Sequence, residues 1–188
     1  MPRLKRYKKH IACLESLWDG DLDQRLTMSQ FVSTLSVFHK VKHAFFTCNT
    51  EPELRYNLRL LRRRSGYGVL YLAFHGSPGH IELRAAELSL DEIAERMGTG
   101  FRDWVVHFGT CETVAVPRAE LRRFIRRTGI AMVVGYRCSV HWIDAAVTDL
   151  LLLDWLQEYR DVRAMWRQFK ATYPDLIRAS QMVAVARD

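Results

Sequence analysis

Val69-Leu70-Tyr71-Leu72-Ala73-Phe74-His75-Gly76-Ser77-Pro78-Gly79 reads as a buried strand that ends at a turn. Its apolar and aromatic residues run on without the alternation of a half-exposed strand, the pattern of a parallel strand covered on both faces. Trp104-Val105-Val106-His107-Phe108-Gly109-Thr110-Cys111-Glu112-Thr113 follows the same plan, and helix signals come after each turn. Open α/β sheets bind ligands in the crevice beyond the carboxyl ends of their strands, and neighbouring strands lie ~4.8 Å apart. If these two strands are neighbours, His75 and Cys111 face each other across that crevice, a base beside a thiol, on either side of the scissile bond of a bound peptide.

The flanking chain supplies the other layers of such a sheet. Residues 10–18 read as a first strand, closing on the acidic turn Asp19-Gly20-Asp21-Leu22-Asp23, and 43–47 as a second. Between them Met28, Phe31, Val32, Leu35 and Phe38 recur at helical spacing and predict an amphipathic helix over 27–39. A helix over 51–64 turns Leu54, Leu58 and Leu61 inward and ends in Arg62-Arg63-Arg64, cations suited to a helix C-terminus. Past His75, residues 80–83 suggest a short hairpin arm and 91–97 a helix. Past Cys111, Pro117 fits the first position of a helix that points Leu121, Phe124 and Ile125 inward. A strand over 130–136, an unusually apolar helix over 142–159, a helix over 162–171 and an edge strand over 182–185 complete the pattern. The β-α alternation predicts one α/β domain over 1–188. It is a three-layer sandwich with a mostly parallel five- to six-stranded sheet, helices on both faces and right-handed crossovers.

Composition narrows the setting. The 188 residues, 48% hydrophobic, suffice for one core. No uncharged apolar run approaches the ~18 residues of a membrane span, since Asp149 and Asp154 close the run Leu150-Leu151-Leu152-Leu153. The basic start from Pro2 to Lys9 leads to no small-residue cleavage site, so neither secretion nor a membrane partner is expected. Cys13, Cys48, Cys111 and Cys138 form no CxxC pair and no dense framework, which points to a reduced, cytoplasmic compartment. Lys plus Arg number 28 against 21 Asp plus Glu, a net +7 that can favour nucleic acid. The basic runs read instead as solvated helix faces and lack interleaved aromatics, so nucleic acid is not the expected partner.

A cysteine peptidase needs a thiolate, an imidazole to move its proton and donors for the tetrahedral oxyanion. Cys111 and His75 fill the first two roles, and the backbone N–H groups of Gly76 and Cys111 supply the third. No metal or cofactor is expected. A zinc site from His75, His80, His107 and Cys111 fails because His107 and Cys111, four apart on a strand, lie roughly 13 Å apart at ~3.3 Å per residue. Metal bonds are only ~2.0–2.3 Å long. Gly76-Ser77-Pro78-Gly79 is no nucleophile elbow, since the first glycine of that motif would have to sit at His75. His107 reads as a strand histidine and His80 as a hairpin residue, while His10, His39 and His43 have no identifiable partner.

The strand with His75-Gly76-x-x-Gly79, the strand with Cys111-Glu112-Thr113, and Val133-Val134-Gly135-Tyr136-Arg137-Cys138-Ser139-Val140 running into a helix form one ordered pattern. Over residues 69–156 it resembles the CHAT peptidases of the caspase, separase and gingipain group, and Tyr173-Pro174 with 182–185 resembles their closing strand more loosely. The resemblance implies a caspase-like fold, His75 as base, Cys111 as nucleophile, and Gly76 with the Cys111 backbone as oxyanion donors. It also implies that Arg137, Cys138, Ser139 and Val140 form an extended segment on which a substrate strand pairs. The chain departs from the family at Cys138-Ser139, where Trp-Pro or a similar pair is common, and at His141-Trp142, where acidic residues are usual. A basic side chain before the scissile bond would want a carboxylate from Asp19, Asp21 or Asp144, and an acidic one would want Arg137. Turn or helix-cap chemistry is the alternative role for each aspartate.

The expected function is therefore a thiol endopeptidase that cleaves a specific protein or peptide through an acyl-enzyme at Cys111. The resemblance implies a microbial defence or signalling setting and control by a partner in trans or by self-association. The alternatives are a catalytically silent interaction module presenting the 142–159 helix, and a nucleic-acid binder on the basic patches.

Overall fold

The computed structural model describes residues 8–18 and 26–188, so the candidate residues Asp19 and Asp21 lie outside it. The chain begins β1 (His10–Glu15), α1 (Ser29–His39), β2 (His43–Thr47), α2 (Glu51–Leu61) and β3 (Tyr67–Ala73). Three short strands follow, β4 (His75–Ser77), β5 (His80–Glu82) and β6 (Glu87–Ser89), then α3 (Leu90–Met97), a 3-10 turn (Gly98–Phe101) and β7 (Val105–Phe108). The last part is α4 (Arg118–Thr128), β8 (Met132–Tyr136), α5 (Trp142–Glu158), α6 (Val162–Thr172), α7 (Pro174–Ser180) and β9 (Met182–Ala186).

Six strands form the main sheet in the order β2-β1-β3-β7-β8-β9. The first five are parallel, and β9 closes the far edge antiparallel to β8. The condition on which the His75–Cys111 reading turned is met: Val69 pairs with Val105 and Leu72 with Phe108, so β3 and β7 end side by side. Leucines of α2 and α4 and Ile93 and Met97 of α3 pack with Leu14, Leu70, Leu72, Val106 and Phe108 on one face. On the other, Val32 of α1, Leu152, Leu153 and Leu156 of α5, and Phe169 of α6 pack with Ile11, Val69, Tyr71, Val105 and Tyr136. Because every central strand is covered on both faces, its sequence reads as an unbroken apolar run.

Local chemistry sets the helix starts. Thr50 with Glu53 and Ser89 with Glu92 form reciprocal capping boxes at α2 and α3, and Asp161 accepts from Arg163 N and Ala164 N at α6. Several expectations change. The hairpin arm is a three-stranded sheet, β4-β5-β6, that begins at His75 itself, folding back through Pro78 and Gly79 at φ +82. Pro117 is the cap of α4 rather than its first helical residue. Pro174 ends α6 but also opens α7, a helix absent from the sequence reading, because proline suits a first turn as well as it ends the preceding one. His39 does have partners: it is buried, with Nε2 2.7 Å from Asp154. Helix α5 packs against the sheet, α1 and α6, while its first two turns leave Ile143 and Val147 half exposed. Among the described residues no helix is long and apolar enough to cross a membrane.

Candidate active site

At the end of β3 the wholly buried Phe74 pins the chain, and His75 emerges exposed beyond it. The imidazole Nε2 lies 2.8 Å from the backbone carbonyl oxygen of Trp18, and the two rings meet edge to face with centroids 5.1 Å apart. A carbonyl oxygen can only accept, so Nε2 carries the hydrogen and a neutral His75 keeps Nδ1 as its free basic nitrogen. Trp18 is itself held. Its indole Nε1 donates to Glu15 Oε1 at 3.0 Å, while Thr27 Oγ1 and Met28 N donate to the same carboxylate at 2.7 and 2.8 Å. Glu15 is only 1% exposed, so this buried carboxylate ties together both ends of the segment that separates Trp18 from Thr27.

Strand β7 delivers Cys111 through a tight loop. Gly109 N donates to Leu72 O at 2.9 Å, and a side chain at Gly109 would strike the Tyr71 ring and come within 2.9 Å of Asp149 Oδ2. Immediately after Cys111, Glu112 adopts a left-handed φ of 60°, which costs energy in a residue with a side chain and swings the chain sharply away from the sheet. Thr110 Oγ1 donates to Thr113 Oγ1, which donates to His80 O at 2.7 Å, and Gly79 N donates to Thr113 O. The Cys111 loop and the β4–β5 hairpin are thus laced together. Gly76 sits in the joint: a Cβ there would overlap Thr113 Oγ1 and lie 2.8 Å from the Cys111 carbonyl oxygen.

Around Cys111 Sγ, Val140 N approaches to 3.4 Å and Ser139 Oγ to 3.8 Å, with Val140 O at 3.7 Å on the acceptor side. The Cys111 backbone N–H donates to no group among the described residues. No hydrogen bond joins His75 to Cys111, but both line one cavity of about 510 Å³ that crosses the ends of β1, β3, β7 and β8. Trp18, Leu26, Phe74, Tyr136, Trp142 and Ala145 line it with apolar or aromatic surface, and Thr110, Ser139 and His141 add polar groups. Behind Gly109 and Tyr136 lies a sealed polar knot. Tyr71 OH donates to Asp149 Oδ2 at 2.6 Å, Tyr136 OH to Oδ1, and His107 Nε2 stands 2.6 Å from Oδ1. All four residues are at most 1% exposed.

Residues 8–180 match the family described as Family of unknown function (DUF6642). The chain belongs to that family. No curated protein matches it.

In this DUF6642 chain the structure brings together His75, Cys111, Gly76, Ser139 and Val140, and leaves other sequence-derived candidates apart. Asp144 is exposed in the first turn of α5, and neither it nor Arg137 or Cys138 lines the cavity. Segment 137–140 is not a strand: it bends at Arg137 and Cys138, held by Arg137 N donating to Gln181 O and by Cys138 Sγ against Ser180 O. Burial pushes the Cys48 thiol up to about 11 and raises those of Cys13 and Cys138 as well, which makes all three poor nucleophiles at neutral pH. Missing from the sequence reading were Trp18, which orients His75, and Glu15, which holds Trp18. The only sequence signal for Glu15 was a carboxylate closing an otherwise apolar strand.

Proposed function

We propose that this DUF6642 chain is a cysteine endopeptidase, with Cys111 as nucleophile and His75 as base. The observation that carries the reading is the Trp18 carbonyl on His75 Nε2, which leaves Nδ1 as the base beside the one cavity that Cys111 also lines. A base held in one tautomer by a third group is the arrangement nucleophilic catalysis requires. The parallel sheet with helices on both faces and the resemblance of the three motifs to CHAT peptidases support a caspase-like fold for the same reading.

In this scheme Nδ1 of His75 takes the Cys111 thiol proton, through a water or after the two groups close on a bound peptide. Sγ then attacks the scissile carbonyl carbon. The Cys111 N–H and the Gly76 N–H accept the oxyanion as hydrogen-bond donors, and His75 returns the proton to the leaving amine as the C–N bond breaks. Water, deprotonated by His75, hydrolyses the thioester and frees the thiol. The close approach of Gly76 to the Cys111 carbonyl supports this pairing of donors.

Labelling of the purified protein with a peptidyl acyloxymethyl ketone, read by peptide mass mapping, tests this. The expected adduct is on Cys111, disappears in Cys111→Ala, and forms about 10²–10⁴ times more slowly in His75→Ala. An adduct rate unchanged in His75→Ala overturns the dyad.

A further inference from the structure

The cavity beside Cys111 also speaks to what it binds. We propose, resting on the peptidase reading, that it receives the substrate side chain just before the scissile bond and that this side chain is uncharged, aliphatic or aromatic. The described lining brings no Asp, Glu, Lys or Arg into the cavity. Trp18, Leu26, Phe74, Tyr136, Trp142 and Ala145 give it most of its surface, with Thr110, Ser139 and His141 as polar members of the lining, and at about 510 Å³ the space is ample for a bulky side chain together with neighbouring backbone.

The carboxylate that stands behind this wall, Asp149, is not available to a basic side chain. It is 1% exposed, and its two oxygens are taken by Tyr71, Tyr136 and His107. Gly109 brings no side chain of its own, and its close approach to Tyr71 and Asp149 leaves no gap through which a guanidinium could reach that carboxylate. Arg137, the one cation considered for an acidic side chain, is exposed and outside the cavity. Against the described lining a basic side chain would lose its water without gaining a carboxylate, whereas an apolar one gains by leaving water.

Four acyloxymethyl ketone probes that differ only in the residue next to the warhead, Leu, Phe, Arg and Asp, decide the matter by their rates of adduct formation on Cys111. Arginine is the critical comparator because Asp19 and Asp21, outside the described residues, lie in sequence between Trp18 and Leu26. The expectation is that Leu or Phe reacts at least about tenfold faster than Arg and Asp. Ala145→Asp, which places a carboxylate in the wall, should move the preference toward Arg. If Arg or Asp reacts fastest with the wild-type protein, the apolar pocket is overturned and the peptidase reading stands. If none of the four labels Cys111 in folded protein whose Cys111 still reacts with iodoacetamide, both fall.

Discussion

His75 is oriented by a main-chain atom 57 residues upstream, the carbonyl oxygen of Trp18, and not by an acidic side chain. Trp18 owes its place to the buried carboxylate of Glu15, which stands at the end of β1 and holds three donors.

Glu15→Ala strands the Trp18 indole N–H, the Thr27 hydroxyl and the Met28 N–H, at about 1–3 kcal/mol for each unpaired buried group. The expected result is a lower melting temperature and slower probe labelling of Cys111. Glu15→Gln keeps an acceptor oxygen and should restore most of the labelling rate. Equal labelling rates in Glu15→Ala and wild type would remove Glu15 from the positioning of His75.

Gly76→Ala forces a methyl group into Thr113 Oγ1 and against the Cys111 carbonyl. Overpacking of this kind costs about 1–3 kcal/mol, and here the strain falls on the Cys111 loop. Thr113→Ala in the same chain relieves the first clash and leaves the second. The double variant should therefore regain stability in thermal melts without regaining the Cys111 labelling rate.

Asp149 joins α5 to three strands through Tyr71, His107 and Tyr136. Removing one member of a buried charged cluster costs about 3–5 kcal/mol, so Asp149→Ala should lower the melting temperature on the order of 10 °C. Asp149→Asn, which keeps one acceptor, should lose less. Calorimetry of the two variants measures the difference.

Lys9 is buried at the end of α5, with Nζ donating to the carbonyls of Leu156 and Tyr159, and burial lowers its ammonium from 10.5 to about 7. The folded chain thus gives up this proton at lower pH than the unfolded chain. Stability accordingly rises with pH between about 7 and 10, while below pH 7 the full cost of burying the charge is present. Urea melts across that range should show the rise in wild type and a flatter profile in Lys9→Met.

The parallel strands were legible because covering both faces leaves an unmixed apolar run, as in 69–74 and 105–108. The pairing of β3 with β7, on which the meeting of His75 and Cys111 depends, stood in the sequence only as a condition, and the structure meets it. Helix α7 escaped notice because Tyr173-Pro174 reads locally as a stop. Trp18 could not be found by residue type, since it acts through a backbone carbonyl that every residue possesses. His39 seemed partnerless because its carboxylate, Asp154, is 115 residues away on another helix. Side-chain roles that arise only from three-dimensional closure leave no periodicity behind.

The cavity draws its walls from the ends of four strands, and its described lining runs from Trp18 to Ala145. No local stretch of this chain contains even half of that described lining, and the glycine joint between the hairpin and the Cys111 loop needs β3 and β7 side by side. Long-range contacts of this sort come late and slowly during folding. An unfinished chain therefore holds Cys111 without the cavity around it, and the two come together only with the completed sheet.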